Sequence, residues 1–412
     1  MIILVSDLHL VDNIGRSTFD AIPFFDRLSN IVESARKRGV TDITLILLGD
    51  IFEVLKSEWW LTAEVRPWES CTESHVDTVD TILKAIIESN SMFFERLRTL
   101  IKDQNLRVEY VPGNHDWPLN TDMGIKARAR LRDTRILTSA NGGKFKTQFE
   151  DPEHRLFAIH GHDWDPSNRY GDKTVAIGDA IVIEMVLQLP ILVGKRLNVS
   201  INRRENEGLG FLDEMDNIRP HTLPVIAQWL NGGLALVENS FPNAFKETDK
   251  VFERIVERII ALQRTVPFET FAVNRTRLKA LSLLAPALFR KPGFLKMARF
   301  FPSGEEGPGT FRDRARREFL RLGEDYQYIV CGHTHAPMIV PIDLSDGSPA
   351  RLYINTGTWR RTRPVARSAR QKGKQAAFAC WDEECVVSIF TPDEQQRCSL
   401  PTFDFHRLTR GN

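Results

Sequence analysis

Charge imbalance is almost absent from this chain of 412 residues: 55 Lys and Arg face 54 Asp and Glu, a formal net charge of +1. No global pull toward nucleic acid or an anionic membrane follows, so attraction to a polyanion has to come from a local patch. Cysteine is scarce too. The five thiols, Cys71, Cys331, Cys380, Cys385 and Cys398, are odd in number and scattered, and no signal-peptide pattern accompanies them, which favours reduced thiols and a cytoplasmic location. Cys380 and Cys385 have no second pair, which argues against a zinc knuckle. No run of about 18 uncharged apolar residues occurs, so a membrane-spanning helix is not indicated. What is present is an ordinary globular composition, 42% hydrophobic and 26% charged, long enough for two domains or one enlarged domain.

The pattern begins with an apolar run, Met1 to Val5, that reads as a buried strand and delivers Asp7 and His9 at its end. Side chains alternate along a strand, so residues two apart point the same way, and this carboxylate and imidazole form a candidate ligand pair. Helical spacing follows over Phe19 to Arg38, closed by Gly39, and then a strand, Ile43 to Leu48, that delivers Gly49 and Asp50. Strand, helix, strand implies a parallel sheet, with both carboxylates at carboxyl ends, where open α/β sheets place their sites. Ser57 to Ser70 carries Trp59, Trp60 and Trp68 in an irregular segment, where the rings either staple the loop to the core or stack on a substrate. Val76 to Leu100 returns to helical periodicity.

Four more strand ends carry residues of the same types. Arg107 to Val111 delivers Gly113-Asn114-His115-Asp116, and Arg155 to Ile159 delivers His160-Gly161-His162-Asp163. Tyr328 to Cys331 delivers Gly332-His333-Thr334-His335, and Leu352 to Ile354 delivers Asn355-Thr356-Gly357-Thr358-Trp359. Six of the ten histidines lie in these clusters, far more concentrated than isolated core or surface histidines would be. Imidazoles mixed with carboxylates and an amide oxygen suit manganese, iron or zinc, whereas oxygen donors alone would suit magnesium or calcium. Two such ions sharing a carboxylate can clamp a phosphoryl group and lower the pKa of a bound water to about 7, so no protein nucleophile is required.

At these residues the chain resembles the calcineurin-like metallophosphoesterase superfamily, whose blocks Asp-x-His, Gly-Asp-x-x-Asp, Gly-Asn-His-Asp/Glu, His-Gly and Gly-His-x-His occur here in order, over residues 1 to about 170 and about 325 to 390. The resemblance implies an α/β fold, a two-sheet αββα sandwich carrying a large helical cap insertion. The core would comprise residues 1–170 and 324–400, and the cap 171–323. It also implies a hydrolase of phosphate monoesters or diesters with two divalent ions, manganese first, iron or zinc as alternatives. Asp7, His9 and His335 would hold one ion, Asn114, His160 and His333 the other, and Asp50 would bridge them. The implied catalytic group is His115, as general acid or charge stabiliser, with Asp116 beside it and Glu53 orienting it. Glu53 departs from the family pattern, which has Asp at that place in many members.

Other residues are candidates for substrate contact. His162 lies on the same face as His160 and either meets substrate or supports the ligands; Asp163 and Arg169 continue that loop. The segment Arg360 to Lys374 holds seven basic residues and no acid. Starting beside Trp359, it is either a solvated loop or a means of capturing a phosphate-rich substrate, with Arg360 nearest the ions. In the insertion, Val175 to Leu192, Phe252 to Leu262, Arg275 to Phe301 and Phe311 to Leu322 read as helices. They could select substrate, form an oligomer interface, or seat an acylated phosphate at a membrane surface, as in the related hydrolases of UDP-diacylglucosamine. Those relatives have Gly-Asn-Arg-Asp and His-Gly-Asp where this chain has Gly-Asn-His-Asp and His-Gly-His, so peripheral membrane contact is not favoured. The expected partner is a phosphorylated substrate, with nucleotides and nucleic acid as candidates. The competing class is a metal-binding scaffold without turnover. Strand-like Ala379 to Trp381 and Val386 to Phe390 fit the second sheet.

Overall fold

The computed structural model describes residues 1–13, 18–134, 143–171, 174–200, 208–219, 223–268, 308–342, 351–365, 378–395 and 399–411. They divide into two compact units: Met1–Trp164, Glu306–Arg361 and Asp382–Gly411 form the first, and Asp165–Glu305 with Thr362–Trp381 the second.

The first unit is mixed α/β with two sheets. β1 (Ile2–Val5), β2 (Ile43–Leu48) and β3 (Leu106–Val111) run parallel in the order β3-β2-β1. A second set pairs β4 (Gln148–Asp151), β5 (Leu156–Ile159), β6 (Tyr328–Cys331), β7 (Met338–Ile342) and β8 (Arg351–Asn355) in the order β4-β5-β6-β8-β7, with β5, β6 and β8 parallel. Alternate residues of both sheets meet in one core: Ile2 and Leu4, Ile46 and Leu48, Leu156 and Ala158, Tyr328 and Val330. The period-2 pattern on each strand is what makes the sheets pack face to face.

Helices cover the outer faces. Ala21–Lys37 starts at Asp20, whose carboxylate accepts from the Ile22 amide at 2.9 Å, and buries Phe24, Phe25, Leu28 and Val32. The long helical stretch expected from Val76 to Leu100 is instead two helices, Glu73–Ser89 and Ser91–Gln104. The break falls at Asn90, whose side-chain amide donates to the carbonyls of Val11 at 2.8 Å and Ile86 at 2.7 Å, competing with helical continuation. Trp60 and Trp68 are buried at 0% and 8% exposure, and Trp60 Nε1 donates to the Val54 carbonyl at 2.8 Å. Those two rings therefore staple the loop; Trp59 is exposed.

Two segments sit elsewhere than the sequence suggested. The strand ending at Phe390 belongs to the first sheet: β9 (Trp381–Phe390) pairs antiparallel with β1, Ile2 opposite Ile389, so Val387 and Ile389 join the inter-sheet core. The tail, which carried no pattern, supplies β10 (Thr402–Gly411), paired with β9, and its Phe403 and Phe405 pack on the same core. The helix Pro308–Leu322, assigned from sequence to the insertion, lies in the first unit, because Phe311, Ala315 and Phe319 pack with Phe157, Ile329, Cys331 and Tyr353 on the outer face of the second sheet.

The second unit is largely helical. Ile177–Leu197 is a continuous helix with a π-helical segment, Ile181–Leu187. It is long and apolar enough to cross a membrane, but 78% of its apolar window is buried, as in the core helix of a soluble protein. Its acids are satisfied: Tyr170 donates to Asp179 at 2.7 Å, and Arg258 lies 3.2 Å from Glu184. Gly210–Asn217, a 3-10 helix, Leu223–Val237 and Ala244–Thr265 follow that helix, the last burying Val251, Phe252, Ile255 and Ile259 along one face. In the basic segment, Arg363 pairs with Glu214 at 2.9 Å and stacks over Trp229, while Arg361, in the first unit, pairs with Asp382 at 3.1 Å. Arg367, Arg370, Lys372, Lys374 and the expected helix Arg275 to Phe301 lie outside the described residues.

If Pro308–Leu322 is core to the first unit, truncating Phe319, which is 0% exposed, should cost about 3–5 kcal/mol. Urea unfolding of Phe319→Ala checks this; a loss below about 1 kcal/mol would place the helix on the periphery.

Candidate metal centre

Five of the six parallel strands described in the first unit end at the same feature. β1 leads to Asp7 and His9, β2 to Asp50, β3 to Asn114 and His115, β5 to His160, β6 to His333 and His335. The chain must turn sharply there, and Asp7, His9, Asp50, His333 and His335 all adopt positive φ, between 48° and 71°. That region is sparsely populated by residues other than glycine, and five such residues in one site are held only by an over-determined surrounding.

The surrounding is a mesh of backbone and side-chain hydrogen bonds. Asp7 N donates to Gly49 O at 3.0 Å and His9 N to Asp50 O at 2.9 Å, continuing the pairing of β1 and β2 past their ends. Across the two sheets, His333 N donates to Asp7 Oδ2 at 3.0 Å and Thr358 Oγ1 to Asp7 O at 2.8 Å. Asn355 Nδ2 donates to Gly332 O at 2.6 Å. Asn355 and Thr358 lie in the strand-end cluster that has no role assigned from sequence, and Ser6, which no sequence signal marks, also contacts the Asp7 carboxylate; all act by fixing Asp7 and the turn before His333. Two glycines are required by space. A Cβ at Gly113 would lie 2.2 Å from Asp50 Oδ1, and one at Gly49, whose φ is +82°, would lie 2.4 Å from the His160 ring.

The side chains converge in three groups with ligand atoms within 4.8 Å of one another: Asp7, His9 and His335; Asp50, His160 and His333; and His9, Asp50 and His115. In the first, His335 Nε2 lies 3.2 Å from both Asp7 Oδ1 and His9 Nε2. In the second, His160 Nε2 lies 3.3 Å from Asp50 Oδ2, and Asn114 Oδ1 lies 3.0 Å from His333 Nδ1. All seven residues that the resemblance assigned to ions are thus brought together, with Asp50 common to two groups.

The chemistry of these side chains fits metal ions. Asp7 Oδ1 and His160 Nε2 are buried and make no well-formed hydrogen bond; their nearest polar neighbours are other ligand-type atoms, His335 Nε2 at 3.2 Å and Asp50 Oδ2 at 3.3 Å, an arrangement that a cation between them would satisfy. His160 Nδ1 donates to Leu48 O at 2.9 Å, which leaves Nε2 as the donor atom for a metal. Charges are already compensated. Burial penalises the Asp7 carboxylate, but His335 and His160 outweigh it and hold its pKa at about 2. Burial opposes ionisation of Asp50 too, but His160 and His115 hold its carboxyl well below the usual range. The reciprocal effect, against burial, raises His160 to about 9, chiefly through Asp50 and Asp7.

Glu53 and His115 meet as the resemblance implied: Glu53 Oε1 lies 2.7 Å from His115 Nδ1, so the longer side chain reaches. His115 is 13% exposed at its side chain against 1% for Glu53. Asp116 is turned away from this group. Its carboxylate is fully buried and accepts from the amides of Ile51 at 3.0 Å, Phe52 and Gly113, so it pins the β2 and β3 loops together instead of acting beside His115. Burial, then the Asp50 charge, raise its pKa to about 7.

The substrate candidates separate. His162 is buried beside His160, ring centroids 5.5 Å apart, and its other face meets Trp117 edge-on at 5.3 Å, so it supports the ligand shell. Asp163 is exposed. Arg360 is 4% exposed, close enough to His9 that its charge, after burial, lowers the His9 pKa. Arg169 belongs to the second unit. Comparison with protein-family models and with curated proteins finds no match for this chain.

Two outcomes are expected. Asp7→Ala should lose one ion and keep the other, held by Asn114, His160 and His333, when metal is counted after dialysis; loss of both or neither contradicts the grouping. An entering ion must displace the His160 proton, so uptake by metal-free protein should weaken as pH falls from about 9 to 6. Calorimetry in buffers of different ionisation enthalpy reads the proton release.

Proposed function

We propose that this chain is a two-ion phosphoesterase of the calcineurin-like type, its first unit an αββα sandwich whose strand ends bind the ions. The observation that carries this reading is the position of Asp50: its Oδ2, on a residue 1% exposed, lies 3.3 Å from His160 Nε2 and 3.8 Å from His9 Nε2, one ligand of each proposed ion. A structural ion needs only one closed set of ligands, whereas a shared carboxylate suits a pair of ions that grip one phosphoryl group. When bound, the ions would supply Lewis acidity and a deprotonated water at neutral pH.

The chain's own residues supply the rest. Asp7, His9 and His335 bind at one position, Asn114, His160 and His333 at the other. His115, through its amide, donates to Asp50 Oδ1 at 2.8 Å, which fixes the imidazole beside the shared carboxylate. With Nδ1 facing Glu53, its Nε2 is the atom left to give a proton to the leaving oxygen or to stabilise charge on the phosphoryl group. Arg360 adds a buried positive charge on the His9 side, suited to a phosphate oxygen. The substrate is therefore a phosphate ester small or flexible enough to reach His115. The membrane-surface alternative gains nothing from Ile177–Leu197, which is mostly buried.

The test is hydrolysis of nitrophenyl phosphate and a bis-nitrophenyl phosphodiester with added manganese. Asp50→Asn should abolish activity, and His115→Ala should lower kcat by about 100- to 10,000-fold, the usual worth of a general acid. An inactive wild type, or undiminished activity in both variants, would overturn the assignment.

A further inference from the structure

Glu53 uses both of its oxygens. Oε1 lies 2.7 Å from His115 Nδ1 and Oε2 lies 2.8 Å from His9 Nδ1, with the carboxylate 1% exposed. The two rings it joins are edge to face, centroids 4.7 Å apart. We infer that Glu53 is a positioning residue which sets His9 as a metal ligand and His115 as the reacting imidazole at once, so that ion binding at the Asp7–His9–His335 group and the placement of His115 depend on each other. This rests on the two-ion reading, and it goes beyond the single contact to His115 that an Asp at this place would make.

The argument is one of donors and acceptors. An ionised carboxylate only accepts, so each imidazole facing it presents Nδ1–H; a neutral His9 then keeps its lone pair on Nε2, and the proton that His115 gives to the leaving oxygen is held on its Nε2. For His9 that is the atom which lies 3.2 Å from His335 Nε2 and 3.9 Å from Asp7 Oδ1, inside the ligand group. Glu53 itself is anchored on two sides: its amide donates to Leu10 O at 2.9 Å, and Oε1 also accepts from the Lys56 amide at 3.2 Å. With the backbone fixed, the extra methylene of Glu relative to Asp is what lets one carboxylate lie between two rings on different loops. Partners of this kind behind a metal ligand are commonly worth about 10- to 100-fold in affinity.

The experiment titrates zinc into the metal-free full chain by calorimetry and records the imidazole N–H signals of 15N-histidine-labelled protein, for wild type, Glu53→Gln, Glu53→Asp and His115→Ala. Wild type should bind two ions. Glu53→Gln, whose amide offers one acceptor, should weaken one ion by about 10- to 100-fold and leave the other within a few-fold. Glu53→Asp should retain one of the two protected Nδ1–H signals, those of His9 and His115, and lose the other. His115→Ala, which removes a partner of Glu53 but no ligand, should also weaken the first ion. Retention of both affinities in every variant, or of both N–H signals in Glu53→Asp, overturns the inference. If Glu53→Gln does not fold, the Asp variant and His115→Ala carry the test. A wild type that binds no zinc defeats the two-ion reading instead, and the N–H signals still decide whether Glu53 spans both rings.

Discussion

Two buried carboxylates, Asp7 and Asp50, at 0% and 1% exposure, set the terms for the rest of the first unit. A carboxylate removed from water is costly unless opposite charge and hydrogen bonds replace the lost hydration. Here the replacement comes from imidazoles delivered by three other strand ends, with His9, and from the amides of His115 and His333. None of these groups is near either carboxylate in sequence except His9. The carboxylates can therefore be buried only once both sheets have formed and packed, and that makes the centre a product of the two sheets together.

The same dependence explains the backbone. Residues in the positive-φ region cost about 1–3 kcal/mol each, and five of the converging residues lie there. Extended strands would carry Asp7, Asp50 and His333 past one another; the tight turns bring their side chains back toward a common point. The continuing hydrogen bonds between β1 and β2, and the ties from Asn355 and Thr358, supply the over-determination that keeps such turns in place. Gly113 and Gly49 follow from the crowding, since any Cβ would displace Asp50 or His160.

Much of this was legible in the sequence because apolar runs ending in Asp, Asn or His are local signals. β2 and β6 have the bounds their residues suggested, and the convergence of six histidines at strand ends needed only the parallel order of the strands. What escaped was non-local. Nothing within 378–390 distinguishes an antiparallel neighbour of β1 from a strand of the other sheet; the choice is made by Ile2 and Leu4 meeting Ile389 and Val387. The break at Asn90 depends on the Val11 carbonyl, 79 residues away, and the membership of Pro308–Leu322 depends on Phe157 and Tyr353. Asp116 looked catalytic because it follows His115, yet its direction is decided by the amides of a different loop.

Glu53 shows how one methylene alters such a network. A shorter acid reaching His115 alone would leave the His9 Nδ1–H to water or a carbonyl, and the two halves of the centre would be oriented separately. With Glu, the shared acceptor makes each ring's angle a constraint on the other, and the nearby Arg360 charge adds to that constraint by disfavouring a protonated His9. Burial, then the Arg360 charge, lower the His9 pKa, and the Glu53 carboxylate on the Nδ1 side fixes its tautomer. One side chain thus joins the imidazoles of two strand ends, so a substitution at Glu53 disturbs the orientation of both rings together.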